Sequence, residues 1–264
     1  MIIENLKKIR ITNPEDIKPS AISFRDIVAD LCGLKIAASH NIARKNTPVD
    51  SDGELLATSV FGWTEEGEDW WNAEGLALQS PITKACRYET DPFWINEHGI
   101  FARMENPFLQ EIDLSKFEQR AKTHAAIVTP VHMAFGQVGA VSFNAPGDAS
   151  TDLADKFEEF GDELAIYARA FIRTYVKVSA RIPLLPVKSK LTKREVECLR
   201  WAALGKTDHE IGKIIGRSQA TVRFHIRNAT EKLESVNKSQ AVFKATQLGY
   251  ISGKKTTVLR TSNA

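Results

Sequence analysis

The chain has 264 residues, room for two domains that each bury a core, and its hydrophobic (43%) and charged (26%) contents are ordinary for a globular protein. No apolar run approaches the ~20 residues that cross a bilayer, the N-terminal MIIENLKKIRITNPEDIKPS has no apolar signal core, and Cys32, Cys86 and Cys198 are far apart, so no membrane partner, secretory leader or disulfide framework is expected, and reduced thiols in a cytoplasm are. The net charge of +2 conceals an asymmetry: from Lys188 onward 16 Lys/Arg face 6 Asp/Glu (+10), and before it 19 face 27 (−8), which suits a polyanionic partner at the C-terminal end only.

Ile22, Ile27, Val28 and Leu31 form an amphipathic stripe that predicts a helix over 22–31. Gly33 to Ala38 reads as the start of a strand. Four of the five tryptophans, Trp63, Trp70, Trp71 and Trp94, fall within 32 positions, with Phe93 beside the last. Such a cluster is either a tryptophan-rich core or the lining of a small-molecule pocket. Thr123 to Asn144 reads as two strands joined around Phe135-Gly136-Gln137. Alternation places Thr129 and Val131 on one face of the first of these strands, and Val128, Pro130 and His132 on the other. Which face is inside stays open. A long amphipathic helix follows, with Leu153, Phe157, Phe160, Leu164, Tyr167, Phe171 and Tyr175 every three or four residues and Asp152 as its cap. Helix, strands and closing helix predict an α+β sensor domain over residues 1–176, a helix/antiparallel-sheet/helix sandwich. Residues 177–190 form the linker, stiffened by Pro183 and Pro186.

Residues 191–264 carry sharper local signals. Thr192 and Glu195 form a T-x-x-E capping box, Val196, Leu199 and Ala203 recur at helical spacing, and Gly205 ends that helix. Thr207 and Glu210 make a second box, Ile211, Ile214 and Ile215 the next stripe, and Gly216 its stop. After the turn Gly216-Arg217-Ser218, with Ser218 as N-cap, Val222, Ile226, Ala229 and Leu233 make the buried face of a third helix. Gln219, Arg223 and Arg227 fall at i, i+4 and i+8 on an outward face. This is the pattern of an all-α helix-turn-helix domain that docks in the major groove. There Arg grips guanine O6 and N7, and Gln grips adenine. Ser218 and Thr221 stand at the same helix start, while Lys206, Thr207 and Lys238 stand at helix ends and suit phosphate contacts. Taken alone, the two arginines also fit a solvated face paired to Glu231 or Glu234.

Residues 191 to about 252 resemble the C-terminal domain of LuxR-type transcriptional regulators. The resemblance rests on Leu191-Thr192, Arg194-Glu195, Leu199, Gly205-Lys206-Thr207, Glu210-Ile211, Thr221-Val222, His225, Leu233, Gln240-Ala241-Val242 and Gly249. It implies four helices, the fourth from about Ser239 to Leu248, basic residues at Arg223 and Arg227 against DNA, and a homodimer on a two-fold-symmetric site. Val242, Ala245 and Leu248 suit either core or dimer packing. Glu234-Ser235 stands where the family has Gly-Val. Ser20 to Val176 resemble, more loosely, the autoinducer-binding domain of the same regulators, through Ser80-Pro81 in place of the family's Asp-Pro, Pro92-Phe93-Trp94, and Pro130 followed by Gly136-x-x-Gly139-Ala140-x-Ser142-Phe143. In that family the pocket holds an acyl-homoserine lactone through a Trp, a Tyr and an Asp. Here those positions carry Gly67, Trp71 and Ser80, so most of the polar anchors are replaced. The resemblance makes Trp63, Trp71, Ser80, Phe93, Trp94 and Ser142 the candidate ligand contacts, with Thr129 and His132 as alternatives.

His124 and His132 are eight apart with no cysteine near, and no nucleophile elbow, Walker loop, dinucleotide fingerprint or HExxH occurs, so no enzyme, metal or cofactor is expected. A phosphoryl-receiver front half would be shorter and would carry an early acidic pair. The expected function is a DNA-binding transcription regulator with double-stranded DNA (promoter half-sites) as partner, acting as a homodimer under a small-molecule signal. A ligand-independent regulator or antagonist that acts through hetero-oligomerisation stays open.

Overall fold

A computed structural model describes residues 1–43, 47–62, 79–146, 151–179 and 190–252. The chain divides into two compact units, Met1–Arg181 and Ile182–Ala264. Among the described residues no helix is long and apolar enough to cross a membrane. All three cysteines are free and buried.

The first unit runs α1 (Ile2–Ile9), α2 (Ile17–Cys32), β1 (Lys35–Ser39), α3 (Leu56–Ser59), α4 (Pro81–Tyr88), β2 (Phe93–Asn96), β3 (Gly99–Ala102), α5 (Pro107–Gln110), α6 (Phe117–Ala121), β4 (Ala125–His132), β5 (Val138–Asn144) and α7 (Ala154–Ser179). The strands form an antiparallel sheet in the order β1-β5-β4-β2-β3. Both sheet faces are covered, which is why β4 is buried nearly throughout. Ile36, Ile127, Val131, Val141 and Phe143 pack under α2 and α7 with Phe24, Tyr167 and Phe171. Phe93, Ile95, Ala126 and Val128 pack on the other face with Ile82 and Cys86 of α4 and Phe117 of α6.

The α+β sandwich follows the sequence pattern, with three refinements. The first long helix starts at Ile17, five residues before Ile22, because Pro19 lies in its first turn, where no amide needs a helical partner. The eight-residue α1 carries too short a stripe to announce itself. It is held by buried Ile9 and by Asn5 Nδ2 donating to Tyr167 Oη at 2.9 Å. The last helix continues to Ser179, past the edge at Val176. Thr129 lies on the α7 side of β4, between Ile127 and Val131, and His132 on the α4 side, where Nε2 donates to the carbonyls of Cys86 and Glu89, each at 3.0 Å.

The second unit holds α8 (Lys193–Ala203), α9 (Asp208–Ile215), α10 (Gln219–Lys232) and α11 (Lys238–Gln247). Both capping boxes form: Thr192 Oγ1 accepts from Glu195 N at 3.3 Å while Glu195 Oε2 accepts from Thr192 N at 2.8 Å, and Thr207 and Glu210 repeat the pattern at 3.3 and 2.8 Å. Ser218 caps α10, its Oγ accepting from Thr221 N at 3.1 Å. Between α9 and α10 the chain turns at Gly216 (φ 65°), and the amides of Gly216 and Arg217 both donate to the carbonyl of Gly212. A Cβ on Gly212 would lie 2.6 Å from the Arg217 carbonyl oxygen. Ala245 is fully buried in the core, and Val242 and Leu248 are half-buried against it.

Glu195 also reaches beyond its own helix. Its side chain is 3% exposed, and Lys232 Nζ donates to Oε1 at 2.8 Å and to Oε2 at 2.9 Å, tying the start of α8 to the end of α10. Burial pushes the Glu195 carboxyl up, but the Lys232 ammonium and the Thr192 amide outweigh it and hold the group below its ordinary value.

Two predictions arise. Gly212→Ala gains up to about 1 kcal/mol of helix propensity but drives a methyl into backbone, an overpacking cost of about 1–3 kcal/mol. The net effect is destabilisation, read as an earlier unfolding midpoint of the second unit in denaturant; an unchanged midpoint would refute the close contact. Glu195→Gln keeps the capping geometry but loses the charge, and costs about 1–3 kcal/mol at pH 7. Because the folded carboxyl titrates below the ordinary 4.5, this stabilisation is complete above that value and disappears as pH falls through the lowered one. Urea melts across pH 7 to 2.5 are expected to show wild type and variant converging at the acid end.

Candidate nucleic-acid interface and ligand cavity

The inner face of α10 is committed to the core: Val222 and Ala229 are fully buried and Ile226 nearly so. The opposite face is therefore in solvent, and Gln219, Ala220, Arg223, Phe224 and Arg227 are all exposed. The Arg223 side chain is 67% exposed, with Nε 3.5 Å from Asp208 Oδ2, and that of Arg227 is 69% exposed, with Nε 3.7 Å from Glu231 Oε1. Ion pairs this open to water contribute little and exchange readily. The guanidinium of Arg227 also lies 6.0 Å from the centre of the Phe224 ring.

The remaining expected contacts gather at helix N-termini. Ser218 and Thr221 share a 2.9 Å hydroxyl–hydroxyl bond at the start of α10. The Thr207 hydroxyl donates to Glu210 at 2.9 Å, and Lys206 Nζ is 3.6 Å from the same carboxylate. Lys238 Nζ donates to Asp208 Oδ1 at 3.1 Å, so Asp208 holds Lys238 on one oxygen and faces Arg223 on the other. Sequence reasoning missed Asp208, whose partners are 15 and 30 residues away. It also missed Phe224, and Gly212, for which a lone glycine inside a helical stripe was the available signal.

In the first unit a cavity of about 570 Å³ lies on the α4 side of the sheet, within the size range of small-molecule sites. Alternate residues of β1 and β5 form its floor, Ala37 and Ser39 beside Ala140, Ser142 and Asn144. Ser80, Ile82 and Thr83 from the start of α4, and Ala121 and Thr123 after α6, form its walls. Arg120 fastens the wall: Nε and Nη2 donate to the Gln79 carbonyl at 3.0 and 2.7 Å, and Nη1 donates to the Ser115 carbonyl at 2.7 Å. Three hydroxyls of the lining are engaged internally. Thr83 Oγ1 donates to the Ser80 carbonyl at 3.0 Å, Thr123 Oγ1 to the Ala125 carbonyl at 2.9 Å, and Ser142 Oγ to Asn144 Oδ1 at 2.8 Å.

Of the ligand contacts expected from sequence, Ser80 and Ser142 line this cavity. Phe93 packs in the cluster on the same side of the sheet without being among the lining residues. Trp94 is not among the lining residues: it packs in the cluster on the α7 side and stacks on Phe101 with ring centres 4.1 Å apart. Phe93 and Trp94 are consecutive in β2, so the pleat sends one to each face. Thr129 is likewise on the far face, and the imidazole of His132 is engaged by carbonyls. Trp63 and Trp71, with Gly67 and Trp70, lie outside the described residues. Ser39, Thr83 and Thr123 were missed, since an isolated hydroxyl on a strand end or first helical turn carries no pattern.

Residues 189–245 match the profile of bacterial regulatory proteins, luxR family. The chain is 35% identical to the transcriptional activator protein LuxR of Aliivibrio fischeri (strain ATCC 700601 / ES114) over 194 residues, covering 73% of this chain and 74% of that protein. It is 32% identical to the transcriptional activator protein AhyR of Aeromonas hydrophila over 183 residues, 69% and 68% of the two chains. With the HTH-type quorum sensing-dependent transcriptional regulator RpaR of Rhodopseudomonas palustris (strain ATCC BAA-98 / CGA009), identity is 27% over 235 residues, 88% and 89% of the two chains. With capped helices, an outward arginine row and a covered-sheet domain in one sequence, the chain belongs to the LuxR family of transcriptional regulators.

Proposed function

We propose that the chain is a signal-responsive regulator that works in the cytoplasm as a homodimer on double-stranded DNA, each copy placing α10 in the major groove of one promoter half-site. The observation that carries this reading is the exposed row of Gln219, Arg223 and Arg227, backed by a helix face that is fully buried. Arg223 and Arg227 read base edges. Gln219, Ser218 and Thr221 work at the same helix start, and Lys206, Thr207 and Lys238 take phosphates. Phe243, 61% exposed on α11, is the apolar group suited to a second copy.

Control by a small molecule is assigned to the cavity, as the family and the name of RpaR suggest. Ser80 supports a ligand other than an ordinary acyl-homoserine lactone. A carboxylate accepts strongly from a ligand amide, and a neutral hydroxyl accepts more weakly.

Selection from a randomised duplex pool is expected to return a two-fold-symmetric site. On that site Arg223→Ala and Arg227→Ala each weaken binding by about 1–3 kcal/mol, roughly 5- to 150-fold, and relax the base preference at one position; unchanged gel-shift affinity would remove the base-reading role. Phe243→Lys is expected to move the full chain from dimer toward monomer in sedimentation, and a dimer of unaltered strength would place the contact elsewhere.

A further inference from the structure

An acidic group stands inside the basic face proposed for DNA. Asp208 is the first residue of α9, where Thr207 and Glu210 already complete the capping box, so the helix start does not need its carboxylate. That carboxylate meets two other helices instead. Oδ1 accepts from Lys238 Nζ of α11 at 3.1 Å, and Oδ2 lies 3.5 Å from Arg223 Nε of α10. The Asp208 side chain is 22% exposed, against 69% for Glu231, which pairs with Arg227 along a single helix. Glu231 is a solvated neighbour, whereas Asp208 is held in place. A fixed carboxylate opposes a polyanion, so its presence on this face calls for a compensating role.

The nitrogen that faces Asp208 decides which edge of Arg223 is left for DNA. A guanidinium is a planar fork of five donors, one on Nε and two on each terminal nitrogen. With a carboxylate on the Nε side, the end-on pair of Nη1 and Nη2 is the edge that remains, and two parallel donors match guanine O6 and N7. In water a pair this open contributes little, but docking excludes water and strengthens a charge-assisted contact. Lys238 reinforces the effect. Once it turns to a phosphate its hold on Oδ1 ends, and the carboxylate is left to Arg223 alone.

We propose that Asp208 is a positioning residue for base reading: it holds Arg223 by Nε so that the guanidinium meets a guanine end-on. The proposal rests on the base-reading role of Arg223 and adds the group that aims it.

The test uses the full chain and the duplex returned by selection. Arg223→Ala first identifies the base pair that Arg223 reads, as the one whose preference is lost; that pair is expected to be G·C. Gel-shift affinities are then compared for all four bases at that position. Asp208→Asn is expected to lower the guanine preference there by at least about fivefold, the low end of what a bidentate contact contributes. Its preference at the Arg227 position is kept, and its affinity for unrelated duplex does not fall. Lys238→Gln breaks the same tie between α9 and α11, and is expected to weaken binding to every sequence alike while the guanine preference stays. Wild type is also offered 7-deazaguanine, which lacks the N7 acceptor, and is expected to bind it at least about fivefold more weakly than guanine. The proposal is overturned if Asp208→Asn keeps the wild-type preference, if Lys238→Gln loses it equally, if the pair read is not G·C, or if 7-deazaguanine binds as well as guanine. The two levels separate through Arg223→Ala: if it relaxes no position, the base-reading assignment itself falls, whereas a relaxed position beside an unchanged Asp208→Asn removes the positioning role alone.

Discussion

Between α9 and α10 backbone lies directly on backbone. Gly212 has no side chain because the carbonyl of Arg217 occupies the space one would need, and its own carbonyl takes the amides of Gly216 and Arg217. That contact sets the angle at which α10 leaves the turn. Once the angle is set, Val222 and Ile226 meet Cys198 and Ile211 in the core, Ala229 packs with Leu199 and Leu233, and the arginines are left on the solvent side beside Asp208 and Glu231. Glu195 and Lys232 fasten the far end of the same helix, so it is held at both ends and along one side.

The second unit was largely legible because its signals are local. A T-x-x-E box, a glycine stop and a four-three-four apolar spacing each act within one or two helical turns, and the first three helices formed within a residue or so of where those signals placed them; the fourth, expected from the family resemblance, formed within a residue of its expected bounds. The Glu195–Lys232 and Asp208–Lys238 pairs span 37 and 30 residues. Nothing local marks such partners, and only the folded arrangement brings them together.

The first unit was less legible for a related reason. Periodicity located the long helices and the β4–β5 hairpin, but both faces of the sheet are buried, so alternation could not say which side of β4 faces a ligand. Aromatic clustering pointed toward Trp94, and the pleat sent that ring to the long-helix side. The polar character of the cavity comes from small residues that composition ignores. Ser39 and Ser80 are brought to the same space by a strand end and a helix start 41 positions apart.

Asp208 has a consequence for ionic-strength behaviour. Free cationic side chains carry mobile anions, and duplexes carry condensed cations; association sheds both, which steepens the dependence of affinity on salt. Arg223 and Lys238 already share a tethered carboxylate. In the proposed complex, where a phosphate takes Lys238 and a base edge takes Arg223, the displaced carboxylate stays attached to the protein and enters no bulk solution. On the proposed interface the slope of log affinity against log salt would thus be shallower than a count of basic residues on this surface suggests.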